Sequence, residues 1–180
     1  MKQRLGFVSN SSSSSFVVVF PKELPKTVEE MEELLFGDAL YAGYDGEHTF
    51  STKEIAAHVL RDMEDGPIKR RIELIDNLRN GELSCSGLAI KHGLGASACP
   101  RPDFMHLWDK PEDEKQKIIE DYSKAKNDFA ETIAKKLLKF AKMSQLYRFT
   151  YSDNDGSELF AFMEHGDIFR RLVHYRLNQH

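Results

Sequence analysis

The apolar positions of this chain follow two kinds of pattern, short runs typical of strands and three- or four-residue spacings typical of helices. Residues 16–20 form a continuous apolar run that Pro21 ends, which predicts a buried strand. Near the other end of the sequence, Val173, Tyr175 and Leu177 alternate with polar residues. A period of two predicts a further strand there.

A pair of aromatic-rich runs precedes that last strand. The runs QLYRFTY and ELFAFM lie on either side of a polar segment that contains Asp155 and Gly156. An Asp-Gly pair between two such runs favours a tight turn, so this part of the sequence predicts a β-hairpin.

Helical spacing dominates the middle of the chain. Thr27, with Glu30 three residues later, has the pattern of a capping box, and Gly37 is a typical helix end, so a short helix is expected between them. A second helix is expected after Ser51 and a third from Pro67. The inner face of the third is predicted to consist of Ile68, Ile72, Ile75 and Leu78.

The longest predicted element is a helix near residues 111–143, where apolar residues recur at helical steps. Strands at both ends of the chain and helices between them predict an α+β fold. We expect a small antiparallel sheet, made of the N-terminal strand, the C-terminal hairpin and the last strand, packed against several helices. A length of 180 residues suits a single domain over residues 1–180.

Composition narrows the classes of function. Hydrophobic residues make up 41% of the chain and charged residues 30%, which are values of a folded protein. A net charge of -4 gives no electrostatic reason to expect nucleic-acid binding. No stretch reaches the roughly 20 apolar residues of a membrane-spanning helix. Two cysteines without metal-ligand spacing are expected to be reduced thiols, and we expect a cytoplasmic protein.

Acid and imidazole side chains are densest near the C-terminal end of the sequence. Glu164, His165 and Asp167 lie within four residues, and His174 follows on the predicted last strand. These are groups that bind divalent metals or transfer protons, so a possible divalent metal site is predicted at these four residues. Arg176, two residues after His174, is a candidate for anion binding. The alternative is that the polar face of this strand only carries charges that protect a sheet edge.

A serine run opens the predicted first strand. Its candidate ligand-binding residues are Asn10, Ser11, Ser12 and Ser13, whose hydroxyls and backbone amides could contact a phosphate. The same hydroxyls could accept phosphorylation, or they could bond to neighbouring backbone inside the fold. The sequence leaves these three roles open.

The segments RLGFVSNSSSSSFVV, YSDNDGSELFAFMEHGDIF and VHYRLNQH together resemble a set of uncharacterised bacterial and bacteriophage proteins. These proteins begin with much the same serine-run motif and end similarly, whereas the helical middle is unmatched. The resemblance implies that the two ends of the chain lie side by side in one sheet and that the setting is a bacterial or phage cytoplasm. It carries over no reaction and no catalytic residue.

Two functions from different classes are compatible with these patterns. The first is a protein-binding effector or regulator without catalytic activity, with another protein as its partner and with aromatic anchors in the segments ALYAGY and DFMHLW. The second is a metal- or phosphate-binding enzyme of hydrolase type, with a site that joins the serine run to the C-terminal Glu, His, Asp and Arg side chains.

Overall fold

The computed structural model describes residues 13–43, 49–80, 107, 109–152 and 157–179 of the chain. Two single-turn 3₁₀ helices, Met63–Asp65 and Met143–Gln145, accompany the main elements. In chain order these are β1 (Ser13–Val19), α1 (Val28–Phe36), β2 (Tyr41–Gly43), β3 (Thr49–Ser51), α2 (Thr52–Asp62), α3 (Arg71–Asn80), α4 (Glu112–Phe140), β4 (Leu146–Ser152), α5 (Glu158–His165) and β5 (Val173–Gln179).

The main sheet places the first strand between the two last ones. Its order is β4-β1-β5, and both pairs are antiparallel. The register sets Phe16 of β1 opposite Phe149 on one side and opposite Arg176 on the other. Strands β2 and β3 form a separate two-stranded sheet. The predicted α+β class, with a small antiparallel sheet and a long helix, is confirmed.

Alternation along β1 divides the structure into layers. Phe16 and Val18 point to one face, where they join a core cluster with residues of α1, α2 and α5. Val17 points to the other face, against α3 and α4. A strand that is apolar on both faces is continuous in sequence rather than alternating, which is why residues 16–20 are an unbroken apolar run.

One predicted strand is a helix instead. The segment ELFAFM, the second half of the predicted hairpin, lies in α5, and its residues Leu159, Phe162 and Met163 are buried on one side of that helix. These positions have the helical spacing i, i+3 and i+4, but a short apolar run does not distinguish helix from strand by its period. The first half of the hairpin is β4, whose sheet partner is β1. Asp155 and Gly156 are outside the described residues.

The third helix begins later than predicted. Helix α3 starts at Arg71 rather than near Pro67, because the N–H of Ile68 donates to the carbonyl of Leu146 at the edge of β4 (2.7 Å). The inner face of α3 consists of Leu74 and Leu78, which are buried, while Ile72 is 56% exposed. The predicted inner face was therefore wrong at Ile72.

The first helix is capped at both ends as predicted. Thr27 Oγ1 accepts a hydrogen bond from the N–H of Glu30 (3.2 Å), and the Glu30 carboxylate accepts one from the N–H of Lys26 (2.6 Å). Gly37 ends the helix at a φ of 63°, and a Cβ there would overlap the guanidinium of Arg171. Among the described residues, no helix is both long and apolar enough to cross a membrane.

Candidate functional site

The serines of β1 make hydrogen bonds within the sheet. Ser14 Oγ accepts hydrogen bonds from Arg176 of β5, from Nε at 3.2 Å and from Nη2 at 3.0 Å. Ser15 points to the opposite face, where its hydroxyl lies 2.9 Å from that of Thr150 on β4. Ser13 begins β1 and pairs with both neighbouring strands. Of the other candidates in the run, Asn10, Ser11 and Ser12 lie outside the described residues.

Arg176 connects three elements at this end of the sheet. Besides its bonds to Ser14, its Nη1 donates to the carbonyl of His165 at the end of α5 (3.3 Å). Its guanidinium lies over the ring of Phe16, 5.7 Å from the centroid. Burial lowers the pKa of Arg176, and the carboxylates of Glu164 and Asp167 oppose that shift. The side chain is thus held by contacts within the fold.

His174 is buried, although it lies on the polar side of the alternation in β5. Its side chain packs beside the rings of Phe16 and Phe169, with centroids 6.2 and 6.0 Å away. Nδ1 lies 3.2 Å from the carbonyl of Leu172, and since a carbonyl only accepts, Nδ1 carries the proton of that bond. Nε2 lies 3.5 Å from Asp167 Oδ1. Both ring nitrogens therefore face oxygen atoms of the protein.

The four metal candidates form two acid–imidazole pairs. Glu164 is fully buried, and its Oε1 lies 3.9 Å from Nε2 of the exposed His165. Asp167 and His174 make the other pair. Within the part of the chain that the structure describes, no three His, Cys, Asp or Glu side chains are grouped so that they could hold a metal ion. We use the name terminal junction for the contacts that join the two ends of the chain, made by Ser14, Glu164, Asp167, His174 and Arg176.

The buried imidazole makes stability depend on pH. Burial lowers the pKa of His174, so the folded chain binds a proton at this site less readily than the unfolded chain does. The stability that this site contributes is fully present above the unfolded pKa of about 6.5 and is lost as the pH falls through the folded pKa. We expect the free energy of unfolding, from urea titrations between pH 8 and pH 5, to decrease on acidification, and to decrease less in His174→Phe.

The matched control for this prediction is His165→Gln, which removes an imidazole that is exposed rather than buried. It should keep the dependence of the wild-type chain, because His174 is still present. An unchanged pH dependence in His174→Phe would contradict the prediction and would assign the effect to other groups.

A pocket of about 310 Å³ opens beside the terminal junction. One wall comes from the segment after α1, with Ala39, Ala42 and Gly43, and the other from residues at and after the end of α5, with His165, Asp167, Ile168 and Arg170. Tyr41 lies at the pocket and is 67% exposed, and its neighbour Leu40 is 71% exposed. Leu40, Tyr41 and the walls of this pocket are called the Tyr41 surface below.

The backbone that carries the two exposed side chains is fixed from inside. The N–H of Thr52 donates to the carbonyl of Leu40 (3.1 Å). The buried hydroxyl of Thr52 lies 2.8 Å from the carbonyl of Ala39 and 2.7 Å from Glu32 Oε1. Because these groups hold the corner before β2, Leu40 and Tyr41 are displayed on an ordered support.

The structure thus divides the site residues predicted from the sequence into some that line the pocket and some that bind one another within the fold. His165 and Asp167 line the pocket, whereas Ser14 and Arg176 bind each other. The segment ALYAGY has the exposed aromatic that was predicted, and only Leu107 of DFMHLW is described, partly buried. Sequence reasoning missed Thr52 and Arg170, for which no motif or spacing gave a signal.

Comparison with known proteins found no matching family model, curated protein or solved structure.

Proposed function

We propose that this chain is a protein-binding module without catalytic activity, which contacts its partner through the Tyr41 surface. The observation that carries the proposal is the adjacent exposure of Leu40 and Tyr41, at 71% and 67%, beside a pocket. Large apolar side chains that stand together at a concave surface are typical of interaction sites. Tyrosine in particular is enriched among the residues that dominate binding energy.

The chemistry of the pocket indicates how a partner would fit. Ala39 and Ala42 make an apolar wall, and the side chains of His165, Asp167 and Arg170 offer polar groups on the other. A partner side chain with an apolar body and a polar tip would match both walls. Since the corner before β2 is held by Thr52, ordering it costs little free energy on binding.

The alternative, metal-assisted or phosphate-ester chemistry at the terminal junction, draws less support. Ser14 accepts from Arg176, Arg176 also donates to the carbonyl of His165, and both nitrogens of His174 face protein oxygens. A catalytic or ligand-binding group has to reach its substrate, and these groups are directed at one another.

We also propose a bacterial or phage cytoplasm as the setting of this chain, in line with the resemblance of the two ends of the chain.

The test replaces both exposed side chains, in Leu40→Ser with Tyr41→Ser. A photo-crosslinking amino acid at position 41, in cells of the source organism, first identifies the partner. Isothermal titration with the purified partner should then show binding at least about 30-fold weaker for the double variant, the effect of losing an anchor worth about 2 kcal/mol. The melting temperature should change little, because surface substitutions seldom cost more than about 0.5 kcal/mol.

The matched control is Phe140→Ser, which removes a comparably exposed aromatic (54%) at the end of α4. It should bind the partner like the wild-type chain. Equal weakening by the control, or full binding by the double variant, would refute the assignment of binding to the Tyr41 surface.

A further inference from the structure

Strand β4 lies at the edge of the main sheet, and its pairing with β1 determines which of its residues direct their backbone N–H and carbonyl groups outward. The N–H of Phe20 donates to the carbonyl of Gln145, so alternate residues from Gln145 onward direct their backbone groups toward β1. The residues between them direct theirs outward. Arg148 and Thr150 are in this second set, and no strand follows β4 on that side of the described sheet.

Ile68 covers the beginning of this edge. The outward carbonyl of Leu146 accepts from the N–H of Ile68 (2.7 Å). For the N–H and carbonyl groups of Arg148 and Thr150, no backbone partner exists within the described part of the chain. The ladder between β1 and β4 runs without a bulge from Leu146 to Ser152, and a bulge is one of the devices that protect an open edge.

A pocket of about 450 Å³ lies along the same edge. Residues of both alternating sets line it, Arg148 and Thr150 together with Phe149 and Tyr151, so the pocket follows the edge of the strand rather than one face. Its opposite wall is formed by Arg61, Asp62, Asp65 and Phe160.

We propose that the edge of β4 at Arg148 and Thr150 binds an extended segment of a partner polypeptide as an additional strand. Two outward pairs of N–H and carbonyl groups, two residues apart, match the backbone spacing of an extended chain. Strand addition of this kind uses main-chain hydrogen bonds for affinity and alternate side chains for specificity. The site is distinct from the Tyr41 surface and does not rest on the proposal made for it.

The wall opposite the edge selects a single strand over a second copy of the protein. Arg61 and Asp62 at the end of α2 face β4 across the pocket, and Ile68 covers the start of the edge. A single extended chain brings no helix of its own to this pocket. A second copy would bring its own α2 and its own covering segment against these same groups.

Side chains at the pocket indicate the composition of the segment. Arg148 donates to the amide oxygen of Asn77 (2.9 Å), and no carboxylate pairs with it in the described ranges. Arg61, by contrast, lies 3.3 Å from Asp62. Because opposite charges on neighbouring strands stabilise pairing, an acidic residue is favoured opposite Arg148.

The test uses the capped peptide VEVEV as its probe, titrated to millimolar concentration against the isotope-labelled full chain. In the free protein the amides of Arg148 and Thr150 should exchange with deuterium faster than those of Phe149 and Tyr151, which point to β1. The probe should shift the signals of Arg148 and Thr150 and slow their exchange. The peptide VKVKV should bind about three- to tenfold more weakly, since it places lysine opposite Arg148.

Two modifications separate strand addition from loose association. Methylation of the peptide nitrogens at alternate residues should abolish binding for one set, valines or glutamates, and spare the other. In the protein, Thr150→Pro removes an outward N–H that makes no bond to β1 and should weaken binding about tenfold, while Thr150→Val should not. The methylated peptides keep the test valid if the proline variant fails to fold.

Several results would overturn the inference. These are equal loss or equal retention of binding for the two methylated peptides, slow exchange of Arg148 and Thr150 in the free monomer, or their protection by dimerisation of the chain alone. The Leu40→Ser, Tyr41→Ser double variant should bind the probe like the wild type. Failure at one surface therefore leaves the other proposal standing.

Discussion

Replacing Phe169 by alanine is expected to lower the free energy of unfolding by about 3–5 kcal/mol, the range for a large aromatic removed from a packed core. Phe169 is fully buried, although it lies in the turn between α5 and β5. Its ring centroid is 5.0 Å from that of Phe149 and 5.3 Å from that of Phe16. The cavity would open where the turn meets strands β1 and β4.

Urea denaturation with a constant m-value measures this loss directly. Phe140→Ala is the matched control, since that ring is 54% exposed at the end of α4, and it should cost no more than about 0.5 kcal/mol. A loss below about 1 kcal/mol in Phe169→Ala would show that the turn does not anchor the sheet.

Replacing Arg176 by methionine is expected to cost about 2–3 kcal/mol. The substitution keeps a long apolar stem over Phe16 and removes the bonds to Ser14 and to the carbonyl of His165. It also leaves the fully buried Glu164 without the nearby guanidinium. The cost is below the 3–5 kcal/mol of a fully buried pair, because Arg176 is only half-buried.

A double-mutant cycle with Glu164→Gln isolates the charge pairing in that cost. Glutamine has nearly the shape of glutamate without the buried charge, so the double variant should be more stable than the sum of the single losses implies, by about 1–2 kcal/mol. Losses that add within about 0.5 kcal/mol would show that Glu164 and Arg176 stabilise the fold independently.

Local patterns in the sequence are sufficient to predict a helix where its structure depends only on residues within that helix and at its ends. The capping pattern of Thr27 and Glu30 and the glycine at position 37 depend on backbone groups within a few residues, and helix α1 begins and ends as they predict. The long helix α4, Glu112–Phe140, lies within the predicted range because its apolar spacing repeats over many turns.

Local sequence patterns predict the wrong secondary structure where contacts with a distant part of the chain determine it. Ile68 suits a helix by its spacing, but its N–H is bonded to Leu146, which is far away in sequence. The run ELFAFM suits a strand or a helix, and in the fold it is a helix whose apolar side joins the core cluster around Phe16 and Phe149. No pattern within either segment records these partners.

The same distinction applies to the candidate site. The sequence identified His165 and Asp167 as chemically notable, and it flagged the segment that exposes Tyr41. It placed His174 on a polar face, but the imidazole is buried beside Phe169, because the turn after α5 folds over that face of β5. The type of a residue does not by itself predict how deeply its side chain is buried.

By itself, then, the sequence determined the helices with clear caps or long apolar repeats, the first and last strands, the α+β class and the residues able to do chemistry, because these depend on period, capping and composition. Only the tertiary structure decided that Ser14 pairs with Arg176, that the exposed Tyr41 lines one pocket with His165, and that within the described residues no backbone group pairs with the outer edge of β4 at Arg148 and Thr150. The physical reason is that hydrogen bonds and burial are settled between segments more than a hundred residues apart, as with Ser14 and Arg176.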